Sequence, residues 1–236
     1  MLNKRLQAVQ KLVPVRCEKI LDVGTEHALL PISLIQKGKI DYAIASDIAE
    51  KPLKKAKENV ERFSLSSNIE IRLGYGLEVL QPDEKLPDVI VIAGLGGRNI
   101  IDILSKKVNY WHSYAKLVLQ PMNAYLELRR YLLKWDYGFL DEMLVEDNNY
   151  IYQVILTGPD GADSKEYNEL MLEIGPKNIS RGGKKLEQYL QQEITRIEAI
   201  FENLKNAKRE KGKRRCEYLK KRYRQYQEVL QNVMDQ

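Results

Sequence analysis

Three segments of this 236-residue chain, at residues 19–28, 45–47 and 92–97, each contain an apolar run that leads into glycine or aspartate. Such runs are typical of buried parallel strands, which deliver polar groups to a ligand at their carboxyl ends. Glycine lets the backbone turn sharply and approach a ligand, and a carboxylate accepts two hydrogen bonds at once. The pattern favours an enzyme.

The first two runs predict a nucleoside site. Gly24 follows the first strand, although Glu26 stands where a G-x-G pattern has its second glycine. Asp47 lies 23 positions beyond Gly24, close to the offset of roughly 20 residues at which a carboxylate binds both ribose hydroxyls. The alternatives are an ordinary α/β turn at Gly24 and a helix N-cap at Asp47, and the cap is compatible with ribose binding.

The end of the third run, residues 93–97, suits a phosphate loop, a shelf for a cofactor or a flat base, or a packing turn. It is not a P-loop, because Arg98 and Asn99 follow instead of Gly-Lys-Ser/Thr. Catalysis by His27 or His112 is not favoured, since a lone histidine is more often structural. No Ser-His-Asp arrangement or metal-ligand cluster is visible in the sequence.

Composition excludes a uniformly basic protein, because the net charge is only +5. Cys17 and Cys216 are far apart and lack metal spacing, which favours a reducing compartment. No apolar stretch approaches the roughly 20 residues that cross a bilayer, and the N-terminus lacks the apolar core of a signal peptide. We therefore expect a soluble cytoplasmic protein.

Alternating segments predict the elements that position these residues. Short runs rich in Val, Ile and Leu at 19–23, 42–45, 69–73, 89–93 and 117–119 predict parallel strands with crossover helices between them. Further helices are predicted over the first dozen residues, from Lys51-Pro52, and over 126–133. Runs 139–145 and 150–156, joined by a turn-forming cluster, predict a hairpin. This order is typical of the α/β class I (Rossmann-like) methyltransferase sheet.

Breaker residues at 158–164 separate this sheet from two apolar stripes, which predict a coiled-coil-like helical hairpin with its bend near Gly212. Between Lys205 and Arg224 there are eleven Lys or Arg against two Glu. That is a net charge of +9, so the remainder sums to −4 (5 − 9). A one-sided block near tyrosines favours nucleic acid, and a solubilising face is the alternative.

Taken together, the motifs resemble the bacterial TrmK group of S-adenosylmethionine-dependent tRNA (adenine-22-N1)-methyltransferases. The resemblance covers nearly the whole chain and is carried by residues 5–6, 22–28, 30–31, 46–47, 72–77, 92–97 and 119–121. This chain departs from the usual family residue at five positions, which are Glu26 for Asp, Leu29 for Tyr, Lys51 for Gly, Tyr75 for Asp and Leu95 for Met.

The resemblance implies a methyltransferase domain over 1–157, a linker over 158–164 and a helical tRNA-binding extension over 165–236. It implies methyl transfer to N1 of adenine 22, in the D-arm region, with Glu26 as the catalytic residue. The cofactor-binding residues would be Asp22, Gly24, Thr25, His27, Asp47, Ile48, Gly74, Tyr75, Gly76, Ala93 and Gly94. The substrate-binding residues would be Gly96, Gly97, Pro121, Asn123, Lys208, Arg209, Lys213, Arg214 and Arg215. We expect a monomer without a metal or a membrane partner.

Two alternatives remain open. The first is an NAD-dependent oxidoreductase on a Rossmann-like fold, disfavoured by the missing G-x-G-x-x-G pattern and by the terminal hairpin. The second is a catalytically inactive tRNA-binding relative, which the departures at Glu26, Leu29 and Tyr75 keep possible.

Overall fold

The computed structural model describes residues 2–112, 115–161, 166–204 and 210–235, without the side chains of residues 203, 204 and 210–214. The chain divides into two compact units, Met1–Glu166 and Tyr167–Gln236. The linker predicted from the sequence begins at Gly158, which in the structure still ends a strand. Residues 162–164 of that linker lie outside the described residues.

One mixed sheet forms the first unit in the described part of the chain. Its strands are β1 Cys17–Val23, β2 Ile40–Asp47, β3 Ile69–Leu73, β4 Val89–Leu95, β5 Lys116–Pro121, β6 Gly138–Asp147 and β7 Tyr150–Gly158. The spatial order is β3-β2-β1-β4-β5-β7-β6. Strands β1 to β5 are parallel, whereas β7 is antiparallel to both β5 and β6. The predicted fold class is confirmed.

The central strands carry the site because their apolar residues are buried on both faces of the sheet. Ile20 and Leu21 of β1, like Ile90 and Val91 of β4, have no solvent exposure. Register then brings the polar ends together, since Asp22 pairs with Ala45 of β2 and with Val91 of β4. We call the region where β1, β2, β4 and β5 end the carboxyl end of the sheet.

Helices cover both faces of this sheet, and they are α1 Lys4–Leu12, α2 Leu29–Gln36, α3 Glu50–Arg62, α4 Gly97–Lys106 and α5 Tyr125–Leu133. Asn3 caps the N-terminus of α1, and its side chain accepts a hydrogen bond from the Leu6 N–H. Its buried residues Val9 and Leu12 join the core. Pro52 lies in the first turn of α3, as predicted, where its missing donor is not needed.

The second unit is helical, with α6 Glu169–Ile174, α7 Pro176–Arg181, α8 Lys184–Leu204 and α9 Glu210–Met234. Helices α8 and α9 pack together, and the Tyr223 hydroxyl on α9 donates to Glu198 on α8 at 2.9 Å. The predicted bend does not lie at Gly212 itself, because α9 already begins at Glu210, and residues 205–209 between the two helices lie outside the described residues. A glycine inside a helix costs only about 1 kcal/mol relative to alanine, so the surrounding helix-forming residues outweigh it.

No helix in the described part of the chain is both long and apolar enough to cross a membrane. Within those same residues, no cluster of His, Cys, Asp and Glu side chains is placed to hold a metal ion.

Candidate active site

The turn after β1 is held in an unusual backbone conformation. Gly24, Glu26 and Ala28 have φ angles of 73°, 56° and 55°, and two of these residues carry a side chain. The N–H groups of Gly24 and Thr25 donate to the Ser46 carbonyl at 2.8 and 2.9 Å, which ties the turn to β2. Left-handed residues other than glycine persist only where their surroundings enforce them, and they concentrate at functional sites.

Asp22 lies below this turn and is 5% exposed. Burial raises the pKa of its carboxyl to about 6, the nearby negative charge of Asp47 also raises it, and a hydrogen bond from the Thr25 hydroxyl at 2.7 Å opposes the rise. A buried carboxyl with a raised pKa therefore lies beside the turn. A positively charged ligand would stabilise its ionised form.

Asp47 ends β2 beside the same turn. Its Oδ2 accepts the Glu26 N–H at 3.4 Å and its Oδ1 accepts the Ala49 N–H at 3.0 Å. Asp47 is therefore not the N-cap of α3, which was the alternative to ribose binding. The N-cap residue is Ala49, and no side chain caps the helix. Each carboxylate oxygen keeps acceptor capacity for a ligand. Ile48, the next residue, is 68% exposed and offers an apolar surface.

The loop after β3 continues this surface. The Gly74 N–H donates to the Asp47 carbonyl at 3.0 Å, so this loop begins beside the second strand. Gly76 has a φ of 53°, and a Cβ there would lie 2.8 Å from the Ile103 side chain. The Tyr75 hydroxyl donates to Asp102 at 2.5 Å, and that hydrogen bond chiefly raises the pKa of Tyr75 to about 12. Tyr75 thus fastens the loop to α4.

Strand β4 ends in a bulge at Gly94, whose φ is 82°. The Gly94 N–H donates to Oε1 of Gln120 at 3.0 Å, and Nη1 of Arg5 donates to the same oxygen at 2.8 Å. Gln120 has no solvent exposure. A fully buried amide of β5 therefore joins the bulge to an arginine of α1.

Beyond the bulge, the start of α4 lies against the end of β5. The Gly97 N–H is 3.2 Å from both Oδ1 and the carbonyl oxygen of Asn123. A Cβ at Gly97 would lie 2.6 Å from that carbonyl, so this contact requires glycine. At Gly96 the nearest contact would be Oδ1 of Asn123 at 3.2 Å. Pro121, the last residue of β5, is buried.

One cavity brings together six of the predicted residues, which are Asp22, Gly24, Thr25, Glu26, His27 and Ala93. We call it the turn cavity, and Arg5 and Leu6 of α1 also line it. The Glu26 side chain is 75% exposed, and its carboxylate lies 3.9 Å from Nε2 of His27. Nδ1 of His27 is buried and, among the described residues, has no hydrogen-bond partner.

The predicted basic residues of the extension belong to the second unit. Arg215 is an exposed residue of α9 in the second unit. Lys213 and Arg214 belong to the same helix, but their side chains lie outside the described residues. Lys208 and Arg209 lie outside them altogether.

Sequence reasoning assigned no role to Arg5, although the sequence contains a signal for one. Helix α1 repeats at 3.6 residues per turn, so a residue shares a face with those three, four and seven positions away. Arg5 lies three positions after Leu2, four before Val9 and seven before Leu12. A lone cation on an apolar helix face requires a specific partner.

Comparison with known proteins gives consistent results. A family model described as TrmK, tRNA (adenine(22)-N(1))-methyltransferase, matches residues 20–230. A tRNA (adenine(22)-N(1))-methyltransferase of Bacillus subtilis strain 168 is 31% identical over 239 residues, which covers 99% of this chain and 97% of that relative.

Solved structures agree over the same length. The crystal structure of the B. subtilis m1A22 tRNA methyltransferase TrmK matches with a TM-score of 0.85 at 30% identity, covering 98% of this chain and 99% of that chain. M. capricolum TrmK, in complex with its natural cofactor product S-adenosyl-homocysteine, matches with a TM-score of 0.84 at 28% identity and covers 99% of each chain.

Proposed function

Because the chain belongs to the TrmK family of tRNA (adenine(22)-N(1))-methyltransferases, we propose that it transfers a methyl group from S-adenosylmethionine to N1 of adenine 22 in tRNA. The observation that carries this function is the family match over residues 20–230, which spans both the sheet and the helical extension. The alternative of an NAD-dependent oxidoreductase has no comparable support.

The residues at the carboxyl end of the sheet fit this cofactor. Asp47 has acceptor capacity for two ribose hydroxyls, and the exposed Ile48 offers an apolar surface to a flat base. Asp22 and Glu26 place carboxyl groups on the turn cavity, where a cationic ligand would lie. A Cβ at Gly24 would meet no atom within 4 Å, so the turn leaves room for a ligand above it.

We assign the acceptor base to the glycine turn at the end of β4. S-adenosylmethionine supplies a methyl group on a positively charged sulfur, and adenine N1 accepts it through an in-plane lone pair. Because N1 lies on the pairing edge, the base must leave its pair or its stack first. Gly96 is half-buried and would present backbone to a flat ring, whereas Gly97 is buried and holds Asn123 in place beside it. Asn123 retains its amide nitrogen as a donor, because its Oδ1 already accepts from Gly97.

Glu26 is the proposed catalytic residue. Its exposed carboxylate lies on the turn cavity. In that position it would either stabilise the positive charge of the methylated ring or accept a proton from the exocyclic amine. Alignment of the two reactants supplies the larger share of the rate enhancement, so a strong base is not required.

Labelled cofactor and unmodified tRNA transcripts test the function. We expect label on a transcript with adenine at position 22 and none on a matched transcript with guanine there. A catalytically inactive relative would bind both transcripts and label neither.

Thermal unfolding tests the oxidoreductase alternative, because a ligand at 100 times its Kd raises the free energy of unfolding by about 2.7 kcal/mol. We expect that gain with S-adenosylhomocysteine and not with NAD.

We further propose that the basic stretch of the extension binds tRNA. Arg215 is exposed on α9, and each phosphate contact releases counterions, so salt weakens such binding steeply. Reversing the charge of Arg214 and Arg215 together should weaken tRNA binding and flatten its dependence on salt by about one unit of slope per lost contact. An unchanged slope would assign this stretch to solubility. A monomeric, cytoplasmic enzyme remains our expectation.

A further inference from the structure

Arg5 lies where a helix, a bulge and a cavity meet. It belongs to α1, it lines the turn cavity with Asp22 and Glu26, and its Nη1 donates to the buried Gln120 at 2.8 Å. Its guanidinium carbon lies 5.8 Å from the centre of the Tyr152 ring. Three separate parts of the first unit therefore hold this side chain in one position.

The path of Arg5 depends on glycine at the bulge. A Cβ at Gly94 would lie 2.8 Å from Nη1 of Arg5 and 3.6 Å from its Nη2. The bulge itself is fixed by the hydrogen bond from Gly94 to Gln120, the same oxygen that accepts from Arg5. The bulge and the guanidinium are thus positioned by one buried amide.

Arg5 has no anionic partner among the residues that the structure describes, since its hydrogen bonds go to Gln120 and to the sulfur of Met122. It is half-buried. A partly desolvated cation is costly without a matching negative charge. It is also the only Lys or Arg among the described residues that line the turn cavity, whose other charged groups include the carboxyl groups of Asp22 and Glu26.

A ligand can supply the missing charge. The methionine part of S-adenosylmethionine carries two cationic groups, the sulfonium and the ammonium, and one carboxylate. Carboxyl groups of the protein match the cationic groups, whereas a cation matches the carboxylate. A guanidinium does so best because its planar fork binds both carboxylate oxygens.

We propose that Arg5 binds the methionine carboxylate of S-adenosylmethionine, which makes the N-terminal helix part of the cofactor site. This inference rests on the proposed function. It adds to the cofactor site a cationic residue that the strand-end motifs do not contain. It also connects the cofactor to β5, because the Gln120 amide that holds Arg5 directly precedes the proposed base-binding residue Pro121.

A comparison of two ligands and two variants tests this role. The ligands are S-adenosylmethionine and its decarboxylated form, which keeps the sulfonium and the amine but lacks the carboxylate. The variants are Arg5→Ala and the control Lys4→Ala, which removes an exposed cation from the adjacent position of the same helix. Calorimetry gives the four affinities relative to the unaltered chain, and thermal unfolding without ligand reports on the fold.

We expect Arg5→Ala to weaken binding of S-adenosylmethionine about tenfold or more, the usual effect of losing a charge-assisted pair. Its affinity for the decarboxylated ligand should stay within about twofold, and Lys4→Ala should change neither affinity. Arg5→Lys should recover part of the loss, because it restores the charge without the fork.

Three results would overturn the role. Equal losses for both ligands would mean that Arg5 only shapes the cavity. Unchanged affinities with weaker tRNA binding would assign Arg5 to a phosphate, and unchanged affinities throughout would leave it without a ligand. An unaltered chain that binds neither S-adenosyl compound would instead refute the proposed function.

Discussion

Two arginines of the first unit have opposite surroundings. Arg129 of α5 has no solvent exposure and lies between that helix and the hairpin, where its Nη2 donates to Glu142 at 2.6 Å and to Gln153 at 2.7 Å. Glu142 and Gln153 are equally buried. Arg5, at the carboxyl end of the sheet, is half-buried and donates to a neutral amide.

The difference separates charges that hold the fold from charges that serve a ligand. A buried ion pair stays because removing either member leaves the other without compensation. A charge at the carboxyl end can remain unpaired because solvent reaches it until a ligand binds. We therefore expect variants in the first region to lose stability and variants in the second to lose binding or turnover while remaining folded.

The largest effect should come from Arg129→Met, which removes the fully buried cation that pairs with Glu142. The free energy of unfolding should fall by about 3–5 kcal/mol, measured by urea titration. The control is Arg130→Met, at the adjacent and exposed position, which should cost less than about 1 kcal/mol. Similar losses for both variants would contradict the division between the two regions.

Next in size is the loss of cofactor affinity in Asp47→Ala. The variant removes acceptors for the Glu26 and Ala49 N–H groups as well as for the ribose hydroxyls. Since hydrogen bonds to a charged group contribute about 1.5–3 kcal/mol each, we expect calorimetry to show a loss of roughly 100-fold. Asp41→Ala, at the exposed opposite end of the same strand, should leave affinity unchanged, and equal affinities in both variants would remove Asp47 from the site.

The carboxyl end of the sheet also shows what the sequence could and could not predict. Asp22 and Asp47 lie in the last residues of their own strands. Predicting the strands from the sequence was therefore enough to locate both carboxylates. Arg5 and Gln120 are 115 positions apart, and their contact depends on how α1 packs against the sheet. Local patterns contain no information about that distance, although the charge on the apolar face of α1 indicated that a partner was needed.

The adjacent residues Arg129 and Arg130 show the same limit. One is fully buried and the other is exposed, yet the sequence shows only two cations in a row. The short helices α6 and α7 were also not predicted, because six residues are too few to establish a helical period. Strands were more predictable, since their apolar runs are bounded by glycine, proline or acidic residues.

Turnover should distinguish Glu26 from the binding residues. We expect Glu26→Gln to slow methyl transfer by up to about 100-fold in single-turnover assays, the usual scale of general acid–base catalysis, with cofactor affinity nearly unchanged. Glutamine keeps the side-chain length at a position with a left-handed backbone. Equal rates for the two proteins would show that Glu26 is not a catalytic residue. Alignment of the two reactants would then account for the rate enhancement.

The smallest effect should be the pH dependence of cofactor binding through Asp22, whose pKa burial raises to about 6. A cationic ligand favours the ionised carboxyl, so binding releases protons below pH 6. Affinity should therefore rise with pH up to about 6, by at most about tenfold per unit, and then level off.

The same shift acts on stability with the opposite sign. Because the folded chain holds this proton at a higher pH than the unfolded chain, the contribution of Asp22 to the free energy of unfolding falls as pH rises from about 4 to about 6. Asp22→Asn removes both dependences, and calorimetry and urea titration across pH 4–8 measure them. If the pH dependence of binding persisted in this variant, another group would be responsible for it, and the pairing of Asp22 with a cationic ligand would be wrong.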